Sequence, residues 1–189
     1  MLKKEARKKF LQLRTLLSDQ KVFALSKDIY IQWKNSLLSQ FDSYHIFLSI
    51  LENKEVDTSI IIKHLWDNKN KVYCSKVDGN ALLHYELSPE TILKKNTWGI
   101  PEPSNQSNLF IKNIECIFIP LLAYDFSGNR VGYGKGYYDS FLQKYSSSIK
   151  VGLSFFDPID SIDDYANWDV PLDYIITPTY SSSFPIEVK

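Results

Sequence analysis

Arg130, Gly132, Gly134, Lys135 and Gly136 lie in the stretch Arg-Val-Gly-Tyr-Gly-Lys-Gly, a combination of charge and backbone freedom suited to holding an anion. Four of the chain's seven glycines, Gly128, Gly132, Gly134 and Gly136, fall within nine residues. Glycine lacks the Cβ that confines other residues, so alternate glycines let successive amides curl toward one guest. Arg130 and Lys135 add positive charge and charge-assisted hydrogen bonds. The stretch joins a strand-like apolar run over residues 114–119 to a helix-like run over residues 137–144. At such a junction, free amides and the positive end of a helix both favour phosphate. The pattern is neither G-x-x-x-x-G-K-[ST] nor G-x-G-x-x-G. A surface turn would explain the glycines alone; the two cations and the strand-to-helix setting favour phosphate.

The residues around the stretch extend that chemistry. Asp139 falls in the first turn of the following helix, where a carboxylate complements the helix dipole. Beside a bound nucleotide it would also suit Mg2+, which takes one or two carboxylates together with water and phosphate oxygens. Asp169, in an acidic loop with Asp157, Asp160, Asp163 and Asp164, is a second candidate, set against the reading of a solvated loop residue. Lys3, Arg7 and Arg14 share one stripe of an ideal helix. Such a row is either solvated or closes over a triphosphate or RNA phosphates. Tyr133, Tyr137, Tyr138 and Trp98 offer flat surfaces, and a tyrosine between glycines is suited to stacking.

His45, His64 and His84 share no metal-ligand spacing and no Ser-His-Asp arrangement, and read as structural. Cys74 and Cys116 sit in apolar runs without C-x-x-C spacing and read as buried thiols in a reducing compartment.

The elements that must position these groups follow from periodicity. Ala6, Phe10, Leu13 and Leu17 recur at helical spacing and predict a first helix that stops near Ser18. Ser18 then caps a second helix with Val22, Leu25, Ile29, Trp33 and Leu37 on one face, ending around Ser39. Residues 44–50 read as a strand, 58–66 as a helix, 71–76 and 81–86 as strands. A helical turn is expected after Pro89, and a polar loop over residues 98–108. Residues 150–155 and 173–177 complete the set of strands. Strands alternating with helices imply a parallel, buried sheet, with ligands at the carboxyl ends of its strands.

Residues 1–189 are expected to form one domain, since the length suits one core. Twenty-two Lys and Arg balance twenty-two Asp and Glu, so no net field recommends nucleic acid or an anionic membrane as partner. No signal-peptide pattern and no apolar run near eighteen residues is present, which predicts a soluble, cytoplasmic protein. A monomer is expected.

The sequence resembles the 5-formyltetrahydrofolate cyclo-ligase family over nearly its whole length. The resemblance rests on Lys3-x-x-x-Arg7 with Arg14 downstream, on Phe47-Leu48-Ser49 followed by Glu55-Val56-Asp57-Thr58, and on Trp98-Gly99-Ile100-Pro101-Glu102-Pro103. It rests most on the run from Gly128 through Arg130 to Asp139, and then on Asp169-x-x-x-Asp173. A longer loop over residues 50–54, and Trp168 ahead of Asp169, depart from the family's pattern.

The resemblance implies a three-layer α/β/α, Rossmann-like fold of the CoA-transferase-like kind, with a mostly parallel sheet and the N-terminal helices packed on it. It implies ATP- and Mg2+-dependent cyclisation of 5-formyltetrahydrofolate to 5,10-methenyltetrahydrofolate. By resemblance, ATP is held by Lys3, Arg7, Arg130, Val131, Gly132, Tyr133, Gly134, Lys135, Gly136, Tyr137 and Tyr138, and Mg2+ by Asp139 and Asp169. The folate is lined by Leu48, Glu55, Trp98 and the segment from Tyr133 through Gly134, Lys135 and Gly136 to Tyr137. Arg130, Lys135 and Tyr137 serve catalysis, and Glu55 accepts paired hydrogen bonds from the pterin. The competing readings are a non-catalytic nucleotide- or RNA-binding module using the basic N-terminal helix, and a sugar-phosphate or acyl-transfer enzyme on a similar scaffold.

Overall fold

The structure is a computed structural model that describes residues 1–79, 81–97, 99–104, 111 and 113–186. Trp98 and residues 105–108 of the expected polar loop lie outside the described residues.

The first helix, α1 (Lys3–Thr15), buries Ala6, Phe10 and Arg14. The second, α2 (Asp19–Lys34), starts behind Ser18, whose hydroxyl accepts the Lys21 amide at 3.2 Å. It buries Val22, Ile29 and Trp33 and stops at Lys34, short of Ser39. Ser36 then captures the Leu38 amide at 3.2 Å and starts a separate 3-10 turn, Leu37–Ser39. That turn reverses the expected burial: Leu38 is in the core, and Leu37 is 78% exposed.

The remaining elements are β1 (Ser43–His45), α3 (Ser59–Asp67), β2 (Lys71–Asp78), β3 (Ala81–Glu86), β4 (Leu93–Lys95), β5 (Pro101–Pro103), β6 (Cys116–Ile119), β7 (Ala123–Tyr124), β8 (Arg130–Val131), α4 (Tyr137–Lys144), β9 (Ile149–Leu153), β10 (Tyr174–Ile176) and β11 (Ser181–Ser183). Instead of a helical turn after Pro89, β4 forms an antiparallel pair with β5.

Seven strands make the main sheet in the order β11-β10-β9-β6-β1-β2-β3. The five central strands run parallel, and β3 and β11 close the edges antiparallel. Strand β6 shows why its Cys-Ile-Phe-Ile run is apolar throughout: all four residues are buried. Cys116 and Phe118 face the layer of α2 and α3, while Ile117 and Ile119 face that of α4. Trp33 anchors the first layer, stacked edge-on against Tyr44 and Phe118. Of the two N-terminal helices, α2 lies on the sheet. Helix α1 packs instead on the β7–β8 ribbon and on Ile159 and Ile162.

Cys74 and Cys116 are free and buried, and burial pushes both thiols up, Cys74 to about 12. His45 and His84 are enclosed beneath α4, with ring centroids 4.7 and 4.4 Å from that of Phe141. His45 Nε2 and Ser75 Oγ lie 2.8 Å apart.

The turn between β7 and β8 sets the entry to the glycine stretch. Asp125, 2% exposed, accepts the amides of Ser127 at 3.0 Å and Asn129 at 2.9 Å on one oxygen, and the Ile162 amide at 3.1 Å on the other. This knot ties the ribbon to the acidic loop. Gly128 completes the turn at φ +88°, where L residues are strained, and a Cβ there would lie 2.9 Å from the Leu172 carbonyl oxygen. Gly128→Ala is therefore expected to destabilise the fold by about 2 kcal/mol, or roughly 6 °C in Tm, measured by thermal denaturation. An unchanged Tm would show that the turn is not so constrained.

Burial lowers the pKa of both enclosed histidines, helped by their mutual proximity at His45 and by Lys144 at His84, whose value falls to about 4. An unfolded histidine titrates near about 6.5, so above that pH neither state binds the proton. As pH falls from 6.5 toward 4, the unfolded chain takes up protons that the folded chain refuses, and stability declines. The urea midpoint is expected to drop across this window, and less steeply in His84→Gln. Equal slopes for the two proteins would rule the histidine out as a cause.

Candidate functional site

A cavity of about 560 Å³ opens beyond the carboxyl ends of β1, β2 and β6. The expected strand over residues 44–50 ends early to make its wall. Ile46 donates one last amide to Tyr73 at 2.8 Å, and the chain then turns away from the sheet. Thr58 Oγ1 donates to the Phe47 carbonyl at 2.8 Å, Ser49 Oγ to the Val56 carbonyl at 2.6 Å, and the Ile50 amide to Glu55 Oε2 at 2.7 Å. The longer loop over residues 50–54 is absorbed as a 3-10 turn, Leu51–Asn53. Phe47, Leu48, Ile50 and Glu55 thereby line the cavity.

The basic stripe of α1 faces inward. Lys3 Nζ pairs with Asp169 Oδ2, Arg7 Nε donates to the Gly132 carbonyl at 2.9 Å, and Arg14 donates to the Leu121 carbonyl at 2.5 Å and to the Tyr133 hydroxyl at 3.1 Å. Lys3 and Arg7 line the cavity, and Arg14, 5% exposed, stands behind Tyr133. Neither a solvated face nor a row displayed to RNA describes this arrangement.

The glycine stretch forms one side of the cavity. Gly134 and Gly136 adopt φ +91° and +71°, and Gly136 occupies the N-cap position of α4. A Cβ on Gly134 would lie 3.1 Å from Arg7 Cζ, so the close approach of the guanidinium requires glycine there. Among the described residues, the amides of residues 132–136 donate to no protein acceptor. Unpaired amides beside cations and a helix N-terminus constitute an anion-binding concavity. Lys135 is exposed beside it, and the Tyr137 hydroxyl donates to the Gly79 carbonyl at 3.1 Å.

Arg130 is 8% exposed and donates to Asp139 Oδ1 at 2.7 Å, an oxygen that also accepts the Val170 amide at 3.1 Å. Burial pulls the guanidinium below its ordinary value, with Asp139 opposing that pull. Its Nε is buried without a partner among the described residues, a donor that a ligand oxygen would satisfy. Asp169 Oδ2 accepts the Ala166 amide at 2.6 Å as well as Lys3. Burial would raise its carboxyl, but the Ala166 amide and Lys3 outweigh burial and hold it below the ordinary value.

The second oxygens of Asp139 and Asp169 accept no hydrogen bond among the described residues, so both carboxylates fit a cation. The described residues offer no cluster of three or more His, Cys, Asp or Glu, so that cation would need water and ligand oxygens to complete its shell, as Mg2+ prefers.

Glu55 is 4% exposed, and both its oxygens are engaged by the protein. Tyr133 OH donates to Oε1 at 2.5 Å, with Arg14 Nη1 4.0 Å away, and Ile50 holds Oε2. Burial pushes the Glu55 carboxyl up against these contacts, and pushes the Tyr133 hydroxyl up too.

Lys3, Arg7, Leu48, Glu55, Arg130, Asp139, Asp169 and the whole of residues 132–138 thus meet at one cavity. Val131 does not: it is fully buried in β8, where its carbonyl accepts the Leu122 amide at 2.7 Å. Trp98 lies outside the described residues.

Sequence reading did not single out Ser75, Val77, Leu82, Ile100, Glu102 or Pro120, which also line the cavity. Strand alternation marks which residues share a face, not which of them meet a ligand. The Ile-Pro-Glu-Pro segment carried a signal for Ile100 and Glu102.

A family model described as the 5-formyltetrahydrofolate cyclo-ligase family matches residues 1–178. The 5-formyltetrahydrofolate cyclo-ligase of Haemophilus influenzae is 33% identical over 145 residues, covering 72% of this chain and 77% of that protein. The protein of the same name from Escherichia coli K12 is 27% identical over 141 residues, covering 71% and 76%. The NMR structure of Aquifex aeolicus 5,10-methenyltetrahydrofolate synthetase aligns with 100% of this chain and 96% of its own, at 28% identity and TM-score 0.83. A 5,10-methenyltetrahydrofolate synthetase from Mycoplasma pneumoniae, at 23% identity and TM-score 0.71, covers 94% of this chain and 99% of its own and shares the fold. With motifs, topology and family match in agreement over most of its length, the chain belongs to the 5-formyltetrahydrofolate cyclo-ligase family.

Proposed function

We propose that the protein cyclises 5-formyltetrahydrofolate to 5,10-methenyltetrahydrofolate, using ATP with Mg2+ and releasing ADP and phosphate. The observation that carries this reading is the run of amides over residues 132–136 that find no acceptor among the described residues, flanked by Arg7 and Arg130 and sharing one cavity with an apolar wall. One end suits a triphosphate and the other a flat, largely apolar ring system.

The substrate's chemistry explains why both are needed together. A formamide carbon is a poor electrophile because nitrogen donates into it, and its oxygen is a poor leaving group. Transfer of the γ-phosphoryl group to the formyl oxygen breaks the bond to ADP and leaves an iminium phosphate. Nitrogen 10 of the folate then attacks the activated carbon, its proton is lost, and phosphate departs with the former formyl oxygen. No protein nucleophile is required.

The protein's task is to align the two substrates and neutralise charge on the phosphoryl oxygens. Lys3, Arg7 and the segment from Arg130 to Tyr138 are suited to hold the nucleotide, through backbone amides and side-chain cations. Val131 would contribute only through the ribbon that sets the loop's course. Arg130, Lys135 and Tyr137 would act at the transferred group. Asp139 and Asp169 would hold Mg2+, which supplies charge neutralisation when bound. Leu48, Tyr133 and the loop would line the folate, with Trp98 added by family resemblance. Glu55 would line it as well, able to accept from the pterin on the lone pairs that Tyr133 and Ile50 leave open. The protein would act as a cytoplasmic monomer; no helix among the described residues is long and apolar enough to cross a membrane.

Incubating the purified protein with 5-formyltetrahydrofolate, ATP and Mg2+ is expected to generate the near-ultraviolet absorbance of the methenyl product. No product over a range of pH and metal concentrations would overturn the reading. Arg130→Ala or Lys135→Ala removes a charge-assisted phosphate contact and is expected to lower kcat/KM about a hundredfold, about 3 kcal/mol. Lys135 carries the cleaner test because it is exposed, whereas removing Arg130 strips Asp139 of its partner. Wild-type turnover in Lys135→Ala would contradict its role.

A further inference from the structure

Arg14 in α1 is buried outside the cavity, behind Tyr133. Its guanidinium donates to the Leu121 carbonyl and, at 3.1 Å, to the Tyr133 hydroxyl, and its Nε has no partner among the described residues. The Tyr133 hydroxyl in turn donates to Glu55 Oε1 at 2.5 Å, and Arg14 Nη1 stands 4.0 Å from the same oxygen. Cation, phenol and carboxylate therefore form one buried chain. Among the described residues Glu55 pairs with no other cation: Lys3 is taken by Asp169, Arg130 by Asp139, and Arg7 is held at the Gly132 carbonyl. The titratable groups that face Glu55 are Arg14 from α1, Tyr133 from the glycine stretch and Tyr138 from α4. Glu52 and Lys54, on its own turn, pair with Lys95 and Asp19.

A carboxyl enclosed in this way tends to take up a proton, because burial penalises its charged form. Burial does push Glu55 up, and the Tyr133 hydroxyl, the Ile50 amide and Arg14 oppose the push. The hydroxyl and the amide are neutral donors; Arg14 alone supplies a charge. Resting on the reading that this cavity takes 5-formyltetrahydrofolate against Glu55, we propose that Arg14 is a positioning residue that keeps Glu55 ionised from outside the cavity, directly and through Tyr133. The protonation state decides what Glu55 offers. As a carboxylate it only accepts, on the lone pairs that Tyr133 and Ile50 leave open. Once protonated, one of its oxygens becomes a donor and opposes a ligand N–H. Arg14 does this without touching the ligand.

Arg14→Gln keeps an N–H donor but removes the charge, and Arg14→Lys keeps the charge. Titration calorimetry of 5-formyltetrahydrofolate onto the full chain, with ADP and Mg2+ present so that no turnover occurs, would be run from about pH 5.5 to about pH 9. Binding weakens on the acid side, where Glu55 takes up its proton. Loss of an opposite charge at this range raises a carboxyl, so in Arg14→Gln the acid limb is expected to move up by about one pH unit. On that limb Arg14→Gln is expected to bind the folate about tenfold more weakly than wild type, and at alkaline pH to return to within about twofold. Arg14→Lys is expected to follow wild type. Glu55→Gln cannot titrate and is expected to bind weakly, with no acid limb. The ligand's own protonation is common to all four proteins, so differences between the curves belong to the protein. ADP binding is expected to stay within about twofold of wild type in every variant.

A loss in Arg14→Gln that is equal at every pH, or that Arg14→Lys shares in full, would mark a merely structural role and overturn the proposal, as would unchanged binding. An acid limb that persists in Glu55→Gln would assign the titration to another group and overturn it as well. Should Arg14→Gln fail to fold, Arg14→Met, which keeps a long unbranched stem without the charge, takes its place with the same outcomes. Failure of the wild type to bind 5-formyltetrahydrofolate would instead sink the functional reading itself, and that result needs no variant.

Discussion

The site depends on a loop that does not hold its own shape. The amides of residues 132–136 donate to no acceptor among the described residues, and two of the glycines sit at positive φ, so the segment has neither a hydrogen-bonded ladder there nor side-chain stiffness of its own. Its course is imposed from outside, by three elements that grip it at separate points. The β7–β8 ribbon, knotted by Asp125, delivers Arg130. Helix α1 lays Arg7 against the Gly132 carbonyl and the bare face of Gly134. Helix α4 begins at Gly136 and fixes the far end. A loop held this way keeps its donors free for a ligand and loses little further freedom when one binds.

The same constraint explains why α1 is not simply another layer on the sheet. Its apolar face, Ala6 and Phe10, packs on the ribbon, and its basic edge therefore falls over the loop that the ribbon delivers. Arg14 extends the grip inward, bridging Leu121, Tyr133 and the vicinity of Glu55. Nucleotide end and folate end, as proposed, are thus joined through buried polar contacts rather than through solvent.

Much of this was legible in the residues. Helical periodicity placed α1 and α2, continuous apolar runs placed the buried parallel strands, and the glycine spacing with its cations marked the loop. What escaped reading shares one cause: it is decided by partners beyond the immediate neighbours in sequence. Residues 46–50 look like strand, but Thr58, Val56 and Glu55 draw them off the sheet. The segment after Pro89 pairs with residues six to ten positions onward, at Pro101–Pro103. Lys3, Arg7 and Arg14 have the composition of a solvated face, and only their tertiary neighbours turn them inward. Glu102 carries no local sign that it is buried, because a single acidic residue between prolines reads as a loop.

The charge arrangement at the nucleotide end follows from having to exist before any ligand arrives. Arg130 and Lys3 are too enclosed to stand alone, and each is neutralised by a carboxylate of the same cavity, Asp139 and Asp169. Under the proposed function these pairs are exchangeable. Phosphate oxygens compete for the two cations, and each carboxylate so released already has one oxygen held by a backbone amide, Val170 for Asp139 and Ala166 for Asp169. Those amides keep the carboxylates aimed at the cavity whether or not the cations remain paired with them. Partner exchange alone therefore turns these two pairs cationic toward phosphate and anionic toward Mg2+, without a net charge on the chain.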